Sequence, residues 1–163
     1  MADVVDRVAR SRMMAGIRAT NTKPELRLRQ VLHRLGFRFR LHDRRLPGKP
    51  DLVLPRHRAV IFIHGCFWHR HEGCHWCTTP SSNVPFWTEK FAANVARDRA
   101  RREPLRQAGW RIAIVWECAL RGEEAERTIS DIDSWLRSDC LEYESPLVRE
   151  QAHQSDRGRG PTP

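Results

Sequence analysis

The sequence holds no apolar run approaching the length of a membrane span, so no transmembrane helix is expected. Its beginning, MADVVDRVARSR, is charged where a signal peptide would be apolar, and a cytoplasmic location is expected. No internal repeat is present. Lysine is scarce: Lys23, Lys49 and Lys90 are the only three, yet the formal net charge is +9. Arginine therefore carries the positive charge, and its planar fork of donors suits phosphate. A basic, arginine-heavy surface is the electrostatic footprint of a nucleic-acid binder, the bland alternative being a general arginine bias. The five cysteines are an odd number, and three of them lie between Cys66 and Cys77. In a reducing compartment such a cluster favours zinc over disulfides.

At 163 residues the chain has the length of one domain that can bury a core without covalent staples. Residues 1–20 are basic with scattered apolar positions (Met13, Met14, Ile17) and read as a helical arm. Thr22, Pro24 and Glu25 form a capping-box start for a helix whose Leu28, Val31, Leu32 and Leu35 share a face, and Gly36 ends it. FRFRL from Phe37 alternates as a strand does. Further strands are predicted over 51–54, 59–63 and 110–116, with a helix from near Phe86 that Pro104 kinks or restarts, and a last helix over 122–137. From Ser138 to residue 163 the composition turns polar and reads as a disordered tail. Helix, strands, helix, strand, helix predicts an α/β domain over 21–137 with a mixed central sheet flanked by helices.

HGCFWHRHEGCHWC, His64 to Cys77, holds three Cys, four His and two Trp. Cys66 and Cys118 each follow a predicted strand. If those strands are neighbours, Cys66, His71, Cys74 and Cys118 can close a tetrahedral zinc site, with His69, His75 and Cys77 as spare donors. The competing reading is buried cysteine beside surface histidine. In PGKPDLVL, Asp51 opens a strand after a tight turn, and His64 ends the next one. A carboxylate and a backbone carbonyl suit Mg²⁺, and an imidazole nearby can move a proton. Taken singly, Asp51 is a turn residue and Glu25 a cap partner. Phe67 and Trp68, inside the cluster, are not needed by a site that only binds metal; packing within the zinc loop is their plainer explanation.

LPGKPDLVL, VIFIHGCFWHRHEGC, FWTEKFAANVARDR and GWRIAIVWECAL, with RSRMMAGIRATNTKPE before them, resemble the very short patch repair (Vsr) endonucleases over about residues 1–137. The resemblance implies a restriction-endonuclease-like fold of the PD-(D/E)xK type, here with Pro50-Asp51 kept and His64 where the lysine of the second half would stand. It implies a Mg²⁺-dependent nuclease that nicks one strand of duplex DNA 5′ to the T of a T:G mismatch left by 5-methylcytosine deamination. Asp51 and the backbone carbonyl of Ile63 would hold Mg²⁺. His69 would be the general base, oriented by Asp98, with His64 and Glu25 in support. Zinc would sit on Cys66, His71, Cys74 and Cys118, although His71 and Cys74 are one residue further apart than in the best-known pattern. Phe67 and Trp68, with Trp87 alongside, would wedge into the base stack, and Met14 and Ile17 of the arm would enter from the opposite groove. A nucleoid-associated monomer, functionally linked to a cytosine-5 DNA methyltransferase, is the implied setting. A restriction-type enzyme cutting both strands and a non-catalytic zinc DNA-binding module are the rival readings.

Overall fold

The computed structural model describes residues 20–146. Along the chain these form α1 (Lys23–Arg34), β1 (Arg40–Leu41), β2 (Leu52–Leu54), a 3-10 turn (Pro55–His57), β3 (Ala59–His64) and the short α2 (Cys66–His69). Then follow α3 (Val84–Gln107), β4 (Arg111–Trp116), a second 3-10 turn (Glu117–Leu120), α4 (Glu124–Arg137) and β5 (Glu142–Glu144). The strands make one sheet in the order β1-β2-β3-β4-β5. β1 and β3 each run antiparallel to β2, while β3, β4 and β5 run parallel. The mixed α/β sheet expected from the sequence is present. The arm residues Met14 and Ile17 lie outside the described residues.

Alternation along the central strands sorts their side chains onto two faces. Ala59 and Ile61 of β3 pack with Leu28 and Leu32 of α1 and Ile129, Ile132 and Leu136 of α4. Val60 and Phe62 face the other way, with Ile112, Ile114 and Trp116 of β4, Leu105 of α3, and Cys66, Cys74 and Cys118. The cysteine cluster is thus continuous with one core layer. Ile132 is 0% exposed; truncating such a side chain to Ala costs roughly 2–5 kcal/mol. No described helix is long and apolar enough to cross a membrane.

Three local expectations change. FRFRL contributes only Arg40 and Leu41 to the sheet. The Phe37 N–H donates to the Leu32 carbonyl at 3.0 Å, closing the end of α1, and its ring is buried in the core. Pro104 does not end α3, which runs on to Gln107 with the proline inside its last turn. The domain also does not end at residue 137. Polar as it is, Glu142–Glu144 pairs with β4, the Ser145 N–H donates to the Ile114 carbonyl at 3.0 Å, and Trp116 donates its indole N–H to Glu144 Oε1 at 2.8 Å. A chain ending at 137 is expected to melt roughly 5 °C or more below one ending at 146, since 1 kcal/mol shifts Tm by roughly 2–4 °C at this size. Equal melting temperatures by circular dichroism would make β5 an appendage.

Candidate active site and metal centre

Because β3 and β4 are parallel neighbours, with His64 opposite Trp116, the segments that follow them start side by side. Cys66 opens α2 and Cys118 sits in the 3-10 turn after β4. The loop after α2 closes through nested turns: His71 N–H to the Cys66 carbonyl at 3.0 Å, Cys74 N–H to that of His71 at 3.1 Å, and Cys77 N–H to that of Cys74 at 3.0 Å. Gly73, at φ +76°, supplies the left-handed residue that the middle turn needs. Cys66, His71, Cys74 and Cys118 are all buried, and one donor atom from each lies within 4.8 Å of the others. Cys77 is half-buried at the edge of this layer.

His71 turns Nδ1 to the sulfurs, 3.6 Å from Cys66 and 3.4 Å from Cys118. Its ring lies flat on Trp116, with centroids 4.1 Å apart. The hydrogen bond to Cys118 and burial push the Cys66 thiol up. That same bond is the main reason Cys118 drops to about 5, against burial and with help from His71. Burial also raises Cys74. The lowered Cys118 favours the thiolate form that binds metal, and the buried N and S donors have the chemistry of structural zinc.

Two further groups of donors lie at the ends of the strands. Asp51, just before β2, accepts the Ile63 N–H on Oδ2 at 2.7 Å. Burial pushes its carboxyl up, opposed by that bond and by the nearby charges of His42, Arg29 and His69. Asp51 is thus bonded to Ile63, while His64, the next residue on β3, points to the other face of the sheet and joins a different group. Glu25 does two things at once. Its Oε2 accepts the Thr22 N–H at 3.3 Å, completing the capping box of α1. Its Oε1 pairs with Arg29 and lies 3.0 Å from His42 Nε2.

The second group is His64, His69 and Asp98. His69 Nδ1 lies 2.6 Å from Asp98 Oδ2, which directs Nε2 away from the carboxylate. Asn94, one turn before Asp98 on α3, donates to the Trp68 carbonyl at 3.2 Å. One face of α3 therefore fixes two consecutive residues of α2. Burial alone would raise Asp98, but the hydrogen bond to His69 and the charges of His69, His64 and Arg101 leave it below its ordinary value. The His64 ring stacks on His69 at 4.0 Å and meets Trp116 edge-on at 5.3 Å. Burial, then the charge of His69, pull His64 down to about 3, so it is a neutral imidazole at neutral pH.

Phe67 and Trp68 are partly exposed on α2 and meet edge to face at 5.0 Å. Trp87 is only 8% exposed. It backs this pair from α3, with centroids 5.8 Å from Phe67 and 6.1 Å from Trp68. The exposed ring beside it is Phe86, at 48%. Lys90 Nζ lies 5.4–5.6 Å from the ring centroids of Trp68, Phe86 and Trp87. Phe86 and Lys90 escaped the sequence reading, although FWTEK places them on the same helical turn as Trp87. Arg29 and His42 escaped it too, because only the fold brings them to Glu25 and Asp51.

Comparison with known proteins gives the family of the chain. The family model described as DNA mismatch endonuclease Vsr matches residues 2–76. The chain is 45% identical over 139 residues to the DNA mismatch endonuclease Vsr of Escherichia coli (strain K12), covering 83% of this chain and 88% of that protein. It is 46% identical over 120 residues to the type II nicking enzyme V.XorIIP of Xanthomonas oryzae pv. oryzae, covering 74% and 88%. The type II nicking enzyme V.NmeAIP of Neisseria meningitidis is 42% identical over 123 residues, covering 76% and 87%. With its buried Cys/His cluster, its Asp51 group and its His69–Asp98 pair set around one sheet end, this chain belongs to the family of the DNA mismatch endonuclease Vsr.

Proposed function

We propose that the chain nicks one strand of duplex DNA 5′ to the T of a T:G mismatch left by 5-methylcytosine deamination, and so starts very short patch repair. The observation that carries this reading is the His69–Asp98 pair at 2.6 Å, on the same short helix as two partly exposed aromatic rings. Chemistry and mismatch sensing then share one rigid element.

His69 takes a proton from the attacking water through Nε2, while Asp98 holds Nδ1–H and stabilises the charged ring that results. Asp51 and the Ile63 carbonyl would hold Mg²⁺; Asp51 Oδ1 fits such a role, since it accepts no hydrogen bond among the described residues. A Mg²⁺ ion held there would supply Lewis-acid polarisation of the phosphate and charge stabilisation for the leaving oxygen. Glu25 supports the pocket beside Asp51, and neutral His64 keeps the His69 ring in plane by stacking. Zinc on Cys66, His71, Cys74 and Cys118 fixes the loop that carries His69. Phe67 and Trp68, backed by Trp87, enter the stack, with Met14 and Ile17 of the arm from the other groove. Unstacking costs a few kcal/mol per step and least at a mispaired one, so deformability selects the site. A nucleoid-associated cytoplasmic monomer working behind a cytosine-5 DNA methyltransferase completes the reading, with residues 1–20 as the DNA-contacting arm.

His69→Ala is expected to slow nicking by roughly 10²–10⁴-fold, the usual contribution of a positioned base. Single-turnover rates measure it, and a loss under tenfold would take the base role from His69. A supercoiled plasmid carrying one T:G mismatch tests the reading as a whole. Nicked circles without linear product are expected with Mg²⁺. Linear product from a matched plasmid would move the chain to a restriction-type enzyme, and binding without cutting to a non-catalytic DNA-binding module.

A further inference from the structure

α3 meets the active site at more than one turn. Asp98 pairs with His69. Arg101, one turn further on, crosses to the turn that leads into Asp51. A Cβ placed on Gly48 of that turn would stand 3.1 Å from Arg101 Cδ, 3.3 Å from Arg101 Cβ and 3.1 Å from Phe62 Cε1. The arginine stem is thus laid across a glycine, beside Phe62, whose ring centroid lies 6.1 Å from that of His64. Gly48 has φ +79°, so its backbone and its bare surface both suit glycine. Burial raises Asp98, and the His69 bond with the charges of His69, His64 and Arg101 takes it below its ordinary value. The Arg101 guanidinium therefore acts across to the His69–Asp98 pair, while its stem is anchored on the Asp51 side.

The stem is fixed, and the head is unused. Arg101 is half-buried. Among the described residues its guanidinium makes no hydrogen bond and no ion pair, and none of its nitrogens is sealed from solvent. Its neighbours on α3 differ. Arg97 donates to Asn94 Oδ1, Arg106 pairs with Glu142 and Glu103, and Arg102 has its Nε sealed in the interior. An arginine whose stem is already ordered loses little freedom on taking an acceptor, and its planar fork matches phosphate oxygens.

We propose that Arg101 binds the scissile phosphate of the nicked strand, its guanidinium donating to a non-bridging oxygen between Asp51 and the His69–Asp98 pair; this rests on the nuclease reading. A phosphate brings negative charge to a pocket that already holds Asp51 and Asp98, and a cation fixed between these acids offsets the repulsion. Arg101 does so without occupying either reacting group, because it bonds to neither Asp51 Oδ1 nor His69. Its donors also strengthen their hold as charge gathers on the phosphate oxygens.

Binding of duplexes with one uncharged backbone link tests this. T:G duplexes carry a methylphosphonate at the phosphate 5′ to the mispaired T, or at the phosphate on either side of it. The samples are the zinc-loaded full chain carrying His69→Ala, with Ca²⁺ in place of Mg²⁺ to stop turnover. Each is measured with Arg101 and with Arg101→Met, which keeps an unbranched stem over Gly48. Neutralising the phosphate 5′ to the T is expected to weaken binding by roughly 10–100-fold more in the chain that keeps Arg101 than in Arg101→Met. Equal weakening in the two chains at that position overturns the proposal and leaves the nuclease reading standing. An Arg101-dependent loss confined to a neighbouring phosphate does the same. If neither chain binds the unmodified T:G duplex, both readings fail. Arg101→Gln replaces Arg101→Met if the latter loses its zinc or its circular dichroism. Should neither variant fold, the chain that keeps Arg101 decides alone, and weakening of under about tenfold 5′ to the T overturns the proposal.

Discussion

Asp51→Ala is expected to lower the nicking rate by at least roughly 10³-fold, or about 4 kcal/mol of transition-state stabilisation, while mismatch binding stays within about tenfold of wild type. The two parts have separate causes. In the proposed mechanism binding rests on the aromatic pair of α2 and on a basic surface, and neither includes Asp51; removing an acid beside DNA phosphates also relieves repulsion. In the proposed mechanism nicking needs a cation on Asp51 Oδ1. Because Ala leaves the Ile63 N–H without its 2.7 Å acceptor, a stability loss of roughly 1–3 kcal/mol accompanies it. Asp51→Asn keeps an acceptor and separates the effects: it should melt close to wild type and still fail to nick. Gel-shift and single-turnover measurements on both variants make the comparison. Loss of binding together with nicking in Asp51→Asn would undo the ligand assignment.

Cys118→Ser is expected to remove most of the zinc and to destabilise the domain by several kcal/mol. Structural zinc is worth roughly 10–16 kcal/mol in small peptides that have no other core, and here the sheet already supplies one. Cys118 carries the lowered thiol of the set, about 5, and lies 3.4 Å from the His71 nitrogen. Without it the loop from Cys66 to Cys77 loses its thiolate contact to the turn after β4 and keeps only packing such as His71 on Trp116. Nicking should fall with zinc, because α2 carries both Cys66 and His69. Zinc content by atomic absorption and melting by calorimetry read the two effects. Unchanged zinc would exclude Cys118 from the site. Cys77→Ser, outside the cluster, should leave zinc in place.

The thiolate set was legible because strand ends can be read from hydrophobic runs, and two of the cysteines sit immediately after such runs. Parallel pairing of β3 and β4 then does the rest. His69 and Asp98 lie 29 residues apart, and only the resemblance joined them. The register of α3 against α2 shows why they meet: Asn94 and Asp98, one turn apart, clasp neighbouring residues. Glu142–Glu144 was illegible because an edge strand with two exposed glutamates has the composition of a tail, and its partner, Trp116, is far back in the chain. Arg29 and His42 were hidden for another reason. His42 reaches Glu25 through a left-handed turn that RLHDRR does not announce, and Arg29 on α1 reads as one more surface charge in a chain full of them. Trp87 was grouped with Phe67 and Trp68 by the resemblance alone; it is 8% exposed, behind the two rings of α2.

The central claim is mismatch-directed nicking of one strand. The most direct measurement uses duplexes labelled separately on each strand, carrying T:G, U:G, C:G or T:A at one position in varied flanking sequence, with Mg²⁺ or EDTA. The account predicts a Mg²⁺-dependent cut in the T strand alone, immediately 5′ to the mispaired T, and none in the matched duplexes. Cleavage of both strands, or equal cleavage of C:G and T:G duplexes, would contradict it.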